Sequence, residues 1–336
     1  MLQKTFSVQT TSKCSVFWEC KYSDVENLVG SRNVVLISDT TVYCKFSYLF
    51  KQHKCIILET GERIKSFETV QFIISKLIEY KTDRNSIIIG IGGGTICDLT
   101  GFVASILMRG ISFGFVPTTL LAQVDAAIGG KNAINYNNFK NLIGTINQPE
   151  FIICNSMFLQ SLPPTLLKSG MGEIIKYSLI SNLGIFDDLS NNYKNLQFFD
   201  EKIFVDIIKK CIEFKISIIE QDVLDKNIRH LLNFGHTFAH CFELIDKIPH
   251  GIAVVKGMLV AIDLSVKKGI LNQKTSNKIK KLFLNLGFDI NYKIYDKHLN
   301  LLFADKKKNT EFIDFVYLKN IGTPIIIKTP IEELRM

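Results

Sequence analysis

Between residues 86 and 108 the chain runs Ser86-Ile-Ile-Ile-Gly90, then Ile91-Gly92-Gly93-Gly94-Thr95, then a stretch of helical character ending near Met108. A continuous apolar run that ends in glycines and passes into a helix marks a buried strand with a tight exit turn. The flanking sequence follows the same pattern. Asn33-Val-Val-Leu-Ile-Ser38, Lys54-Cys-Ile-Ile-Leu58 and Ser112-Phe-Gly-Phe-Val116 are short strand-like runs, the last stopped by Pro117. Residues 66–80 predict a helix, with Ser66 at its N-cap, Glu68 in its first turn, and Phe72, Leu77 and Ile78 at near-helical spacing. Strands alternating with helices predict a parallel sheet joined by crossovers, that is, an α/β N-terminal domain with a Rossmann-like nucleotide site.

From about Ser156 the pattern changes to long helical segments at 164–180, 200–220, 228–245, 252–268 and 275–286. In the second of these Ile203, Ile207, Ile208, Cys211, Ile212 and Phe214 tend to one side and lysines fill the other. Two strand-like runs, 312–317 and 324–328, predict a small hairpin. A chain of 336 residues is expected to form two domains. The boundary is read as 1–155 for the α/β domain and 156–336 for the mainly helical one. A cleft between two such domains is where an active site is expected.

Composition narrows the function classes. With 47% hydrophobic and 21% charged residues the chain has material for large cores. The net charge of +8 is scattered, apart from short runs such as Asp305-Lys306-Lys307-Lys308, and so does not form a nucleic-acid arm. The eight cysteines (14, 20, 44, 55, 97, 154, 211 and 241) include no CxxC pair and read as reduced thiols of an intracellular protein. The N-terminus lacks the pattern of a secretory signal. Asp98, Arg109 and Asp125 interrupt the most hydrophobic region before it reaches the ~18 residues of a membrane span. A cytoplasmic protein without membrane or nucleic-acid partners is the expectation.

Three groups of residues carry chemistry. The glycines at 90 and 92–94 let the backbone approach a ligand, and the following helix N-terminus offers N–H groups to a pyrophosphate. The spacing is not GxGxxG, and a strand-to-helix turn needing glycine for backbone reasons alone is the bland alternative. His236 and His240 stand four apart, on one helix face, a spacing used by metal sites, with Glu173 and His250 as further ligand candidates. Three of the six histidines fall within 236–250, which favours a metal site over isolated structural histidines, and spacing alone nominates His236 with His240. The third group is basic: Arg109, Lys131, Lys140, Lys176, Lys215, Arg229, Lys306 and Lys307. Lys215 and Arg229 taken singly read as a solvated face. Arg109 and Lys131 lie in Gly-rich turns beside apolar sequence, where a phosphate or carboxylate would give the charge a partner.

The strings GGGTICDLTGF (92–102), MRGISFGFVPTTLLAQVDAAIGGKNAIN (108–135), KNLIGTINQP (140–149), SGMGEIIKY (169–177), RHLLNFGHTFAH (229–240), HGIAVVKGM (250–258) and ADKK (304–307) together resemble the 3-dehydroquinate synthases, of the sugar-phosphate cyclase superfamily. The resemblance runs from about Asp39 to Val316. It implies a zinc site, with Co2+ as a substitute, at Glu173, His236 and His250, leaving His240 facing substrate. It places NAD against 61–65 (notably Glu62 and Lys65), Gly94, Thr95, Ile96, Cys97, Asp98, Thr118, Thr119, Lys131, Lys140, Phe158, Leu159, Gln160 and Ser161. Substrate contacts fall on Asp125, Lys131, Asn141, Lys176, Lys215, Arg229, Asn233, His240, Lys306 and Lys307, and Arg109 is implied to reach a neighbouring subunit's site in a homodimer.

The implied activity is a phosphate-eliminating lyase of the shikimate pathway of aromatic amino-acid biosynthesis. It converts 3-deoxy-arabino-heptulosonate 7-phosphate to 3-dehydroquinate by transient oxidation, β-elimination, re-reduction, ring opening and aldol closure. Rival readings are an inosose or valiolone synthase, a polyol or glycerol dehydrogenase, and a nucleotide-binding module without catalysis. The chain departs from the family pattern at Cys97 and Phe139 (commonly Gly), Asn227 (frequently Gly), Asn132 (usually Thr) and Ile252 (usually Glu). The last is expected to loosen the surroundings of His250 by removing a neighbouring carboxylate.

Overall fold

The computed structural model describes residues 2–7, 13–20, 24–137, 139–197, 201–306 and 312–334, in two compact units, Met1–Pro163 and Pro164–Met336. The first unit contains, in order, β1 (Leu2–Ser7), β2 (Lys13–Trp18), α1 (Asp24–Val29), β3 (Val34–Asp39), α2 (Thr40–Lys45), β4 (Lys54–Leu58), α3 (Phe67–Glu79), β5 (Ile87–Gly92), α4 (Gly94–Ile106), β6 (Ser112–Pro117), a hairpin of β7 (Lys131–Tyr136) and β8 (Phe139–Ile146), and β9 (Phe151–Cys154). Seven strands form one sheet in the order β1-β2-β9-β6-β5-β3-β4. β1 pairs antiparallel with β2 at the edge, and the other six strands run parallel.

Every residue of β3 and β5 is buried, which is why both read as unbroken apolar runs and not as alternating ones. The chain leaves β3 for β4 on one side and returns to place β5 on the other, so the strand order reverses at the β3/β5 boundary. In open parallel sheets ligands bind outside the carboxyl ends of strands at such a reversal, and the glycine turn leaves β5 there.

Local expectations mostly hold, with informative exceptions. Ser66 caps α3, its Oγ accepting the Thr69 N–H at 3.4 Å. The buried stripe of α3 is Val70, Ile73 and Leu77, while Phe72 and Ile78, read with Leu77 as the apolar residues at helical spacing, are 46% and 64% exposed. Those two positions are rotated off the 70/73/77 stripe by about one residue's 100° or more. The helix predicted to reach Met108 stops at Ile106, because Met108 and Arg109 take left-handed conformations (φ 51° and 68°) in the turn that follows.

The second unit contains α5 (Pro164–Ile180), α6 (Ile185–Gln197), α7 (Glu201–Gln221), α8 (His236–Asp246), α9 (His250–Lys267), α10 (Gln273–Asn285), α11 (Asp296–Lys306) and the hairpin of β10 (Phe312–Asn320) and β11 (Thr323–Pro330). The helix predicted over 228–245 is broken into a 3-10 turn, Ile228–Asn233, and α8. Gly235 makes the break, with φ 79°. The expected start of the 200–220 helix, Asp200, lies outside the described residues. On α7 the inward face includes Lys215, which is 6% exposed and so not part of a solvated face. Among the described residues no helix is long and apolar enough to cross a membrane, and none of the eight cysteines forms a disulfide.

Candidate metal centre and nucleotide-binding face

Three helices of the second unit deliver one chemical centre. Glu173 comes from the middle of α5 and is completely buried; His236 and His250 are the first residues of α8 and α9. Nε2 of His236 lies 3.3 Å and Nε2 of His250 3.1 Å from Oε1 of Glu173, and one donor atom from each of the three lies within 4.8 Å of the others. Glycines set these distances. A Cβ on Gly251 would sit 1.8 Å from the carbonyl oxygen of Ser169, and one on Gly172 would sit 2.3 Å from that of Gly251, so α5 and α9 touch backbone to backbone beside Glu173 and His250. The same holds for Gly257 of α9, whose Cβ would meet the Gly235 carbonyl at 2.0 Å, one residue before His236.

The electrostatics suit a bound cation. Burial alone would raise the Glu173 carboxyl, but the charge of Lys176 and the contacts from His236 and His250 hold it well below the usual range. Its Oε2 forms an ion pair with Lys176 Nζ at 2.5 Å. Burial would lower His250, yet Glu173 and Glu243 push it up to about 10, so the surroundings draw positive charge to its imidazole. One carboxylate and two imidazoles make a donor set that Zn2+ and Co2+ accept in catalytic sites. Nδ1 of His236 donates to the Phe234 carbonyl at 3.3 Å, and Nδ1 of His250 faces Oε2 of Glu243 at 3.3 Å. Both contacts leave Nε2 as the metal-facing nitrogen.

The pair that spacing alone nominates is therefore corrected. His240 shares a face with His236, their ring centroids 5.9 Å apart, but the trio is completed by Glu173 and His250, and the His240 side chain is 63% exposed. Ile252 offers His250 no carboxylate, but Glu243 on α8 does. Sequence reading passed over Glu243; its place seven residues after His236 and three after His240, on one helical stripe, was the available signal.

The basic residues of this unit differ in burial. Lys176, Lys215 and Arg229 are 2%, 6% and 3% exposed, whereas Asn233 is exposed. Arg229 donates to the Val223 carbonyl at 2.7 Å. Its turn is held by Asp222, whose carboxylate accepts the N–H groups of Lys226, Asn227 and Arg229 at 3.0, 2.6 and 3.1 Å. Lys306 ends α11, and Lys307 lies outside the described residues.

In the first unit Glu62, Lys65, Asp98, Thr118 and Thr119, among the candidate nucleotide residues, gather around the β5–α4 turn. Gly93 is the N-cap of α4 and supplies no side-chain cap, so the first N–H groups of the helix are available to an anion. Thr118 bonds its N–H to the Gly92 carbonyl at 2.8 Å, and Thr119 packs against Gly93. Lys65 is buried and pairs with Asp98 at 2.7 Å, with Glu62 at 3.5 Å, and hydrogen-bonds Asn141. Glu62 also accepts from Thr95 at 2.9 Å and from Asn135 at 3.2 Å. Burial drives the Asp98 carboxyl up to about 6 against the pull of Lys65, with Glu62 and Asp125 adding to the rise. Asp125 lies in a π-helical turn, Ala122–Ala126, a local irregularity common at functional sites. Ile96 and Cys97 are buried in α4, and burial pushes the Cys97 thiol up. Phe158 and Leu159 are buried, Ser161 is half-buried, and Gln160, Lys131 and Lys140 are exposed.

Two departures from the family pattern find local explanations. Asn132 is buried, its Nδ2 donating to the carbonyls of Gly130 and Asn147 at 2.8 and 3.0 Å, and it packs where a Cβ on Gly101 would fall. Phe139 is an exposed residue at the start of β8.

Comparison with known proteins identifies the class first. A 2-deoxy-scyllo-inosose synthase, solved with carbaglucose-6-phosphate, NAD+ and Co2+, superposes with a TM-score of 0.87 at 24% identity, covering 99% of this chain and 98% of that one. The 2-epi-5-epi-valiolone synthase of Streptomyces hygroscopicus subsp. jinggangensis, solved with NAD+ and Zn2+, gives 0.87 at 20% identity over 98% and 96%. The fold is thus that of the sugar-phosphate cyclases. Within that class, the models "3-dehydroquinate synthase N-terminal" and "3-dehydroquinate synthase C-terminal" match residues 55–169 and 170–308. The 3-dehydroquinate synthase of Clostridium tetani is 39% identical over 304 residues, 88% of this chain and 82% of that protein. The chain belongs to the 3-dehydroquinate synthase family, whose members are lyase-type cyclases.

Proposed function

We propose that the chain catalyses the 3-dehydroquinate synthase reaction, converting 3-deoxy-arabino-heptulosonate 7-phosphate to 3-dehydroquinate and phosphate with NAD and a divalent metal, Zn2+ or Co2+. The observation that carries this reading is the Glu173–His236–His250 trio, assembled from three helices of a chain in this family. When bound, the metal would polarise substrate hydroxyls and the nicotinamide would take up and return one hydride. The chain's own residues do the rest. Lys176, anchored by Glu173, supplies a fixed buried cation next to the metal ligands. Lys215 and Arg229 supply two more, in keeping with a substrate that carries both a carboxylate and a phosphate. His240, exposed beside the trio, is the group we assign to proton transfer during phosphate departure. In the first unit, the α4 N-terminus would hold the pyrophosphate of NAD, with Glu62, Lys65, Thr118 and Thr119 around it.

The test is to supply the seven-carbon phosphate with catalytic NAD and follow phosphate and NADH together. One phosphate per turnover without accumulating NADH is expected, and a chelator should stop the release. NADH accumulating in step with product would identify a dehydrogenase and overturn the reading. His240→Ala should keep its zinc by elemental analysis and lose activity, whereas His250→Ala should lose both.

The homodimer belongs to the same proposal. Arg109 is exposed in a left-handed turn, and the unit also exposes Ile106, Met108, Phe139 and Leu142, on α4, the turn after it and β8. If Arg109 completes a neighbour's site, mixing Arg109→Ala with Lys215→Ala chains should restore part of the activity. No recovery despite demonstrated subunit exchange would assign Arg109 to its own chain.

A further inference from the structure

Along α8 the residues His236, His240 and Glu243 stand at i, i+4 and i+7, and so form one stripe. Glu243 is nearly buried, its side chain 8% exposed. Its Oε2 lies 3.3 Å from Nδ1 of His250, the first residue of α9, and 3.8 Å from Nδ1 of His240 on its own helix. One carboxylate oxygen thus stands behind a metal-ligand imidazole and beside the imidazole assigned to proton transfer.

We propose that Glu243 is a positioning residue for His250, holding its Nδ1 so that Nε2 points at Glu173. The geometry supports this in two ways. An imidazole has two nitrogens, and the partner of one decides which way the ring faces and which nitrogen keeps a lone pair for a metal. His250 needs such a partner more than His236 does. His236 is held by the Phe234 carbonyl of its own entry turn, at 3.3 Å, whereas the side chain holding Nδ1 of His250 comes from a different helix. The carboxylate also reaches His250 from α8, whereas the residue two positions after His250 is Ile252 and offers none. The contact is a matter of reach: Oε2 must arrive from one helix at a ring on the next.

The inference rests on the reading of Glu173, His236 and His250 as a metal site, and the experiment separates the two. Co2+ is titrated into the metal-stripped full-length chain against a competing chelator, with the visible absorption spectrum recorded at saturation. If the wild-type chain takes up no Co2+, the metal reading fails on its own. If it does, Glu243→Ala should bind Co2+ about 10–100-fold more weakly and with a changed spectrum, because the His250 ring is free to rotate. Glu243→Gln keeps the reach and an acceptor oxygen and should stay within a few-fold of wild type. Glu243→Asp keeps the charge but withdraws the oxygen by one methylene, and should be weaker than Glu243→Gln. This ordering stands independently of the alanine variant, should that variant not fold. His240→Ala should bind Co2+ as the wild type does. Wild-type affinity and spectrum in Glu243→Ala, or Glu243→Asp binding more tightly than Glu243→Gln, would overturn the proposal.

Discussion

The candidate metal centre and the candidate nucleotide-binding face are built to hold a charged group in opposite ways. In the helical unit the ligands are side chains from three helices, closed in by glycines that bring backbones into contact. The charges there are buried and already paired: Glu173 with Lys176, and His250 between Glu173 and Glu243. In the α/β unit the proposed donors are backbone N–H groups at a helix start. They are surrounded by a polar network, Glu62, Lys65, Asp98, Asn135 and Asn141, most of whose members reach solvent. A centre built from side chains demands exact helix packing, whereas one built from backbone demands only a glycine turn in the right place.

The largest effect that should break this contrast is Glu173→Ala. It removes a metal ligand and leaves the ammonium of Lys176 buried without its carboxylate. We expect loss of metal binding and a stability loss of about 3–5 kcal/mol in chemical denaturation. A folded variant of wild-type stability would mean that the trio is not electrostatically locked.

On the nucleotide side the sensitivity should be to pH. Asp98 has its folded pKa raised to about 6, so between its unfolded value of about 3.9 and that value the folded chain keeps a proton that the unfolded chain has lost. Its contribution to wild-type stability therefore falls as pH rises from 4 to 6 and stays low above. Relative to wild type, Asp98→Asn should gain stability across this window, by up to about 3 kcal/mol. A difference in melting stability that is constant from pH 4 to 7 would show that Asp98 is not strained by burial.

Gly251→Ala tests the glycine contact. The added Cβ meets backbone, not a movable side chain, so a stability loss of about 1–3 kcal/mol should accompany weaker metal binding. Unchanged Co2+ affinity would show that α5 and α9 can separate without moving His250. The smallest effect belongs to the α/β unit: Ser66→Ala removes the α3 cap beside Lys65 and should lower stability by about 1 kcal/mol without affecting metal content.

The legibility of the two regions differs for the same reason. The candidate nucleotide face lies within short segments: local pattern pointed to the contiguous glycine turn, and the family resemblance added Glu62 and Lys65 from one nearby stretch. The metal centre was half legible. Spacing found the histidine-rich stretch but paired His236 with His240, because sequence spacing reports only neighbours on one helix. Glu173 and His250 stood only as further candidates until the family resemblance grouped them with His236, and neither route reached Glu243.

What the sequence by itself determined is the alternation of buried strands and helices in the first unit, the succession of long helices in the second, the glycine turn and the family. These follow from hydrophobic periodicity and contiguous motifs, which are properties of the chain read a few residues at a time. Only the tertiary structure decided which face of α3 is buried, where Gly235 breaks the helix so that α8 starts at His236, and which carboxylate stands behind His250. Each of these depends on residues far apart in the chain, Ser169 against Gly251, Gly235 against Gly257 and Glu173 against two histidines. Such contacts form only when helices pack, and close packing, not local propensity, sets their distances.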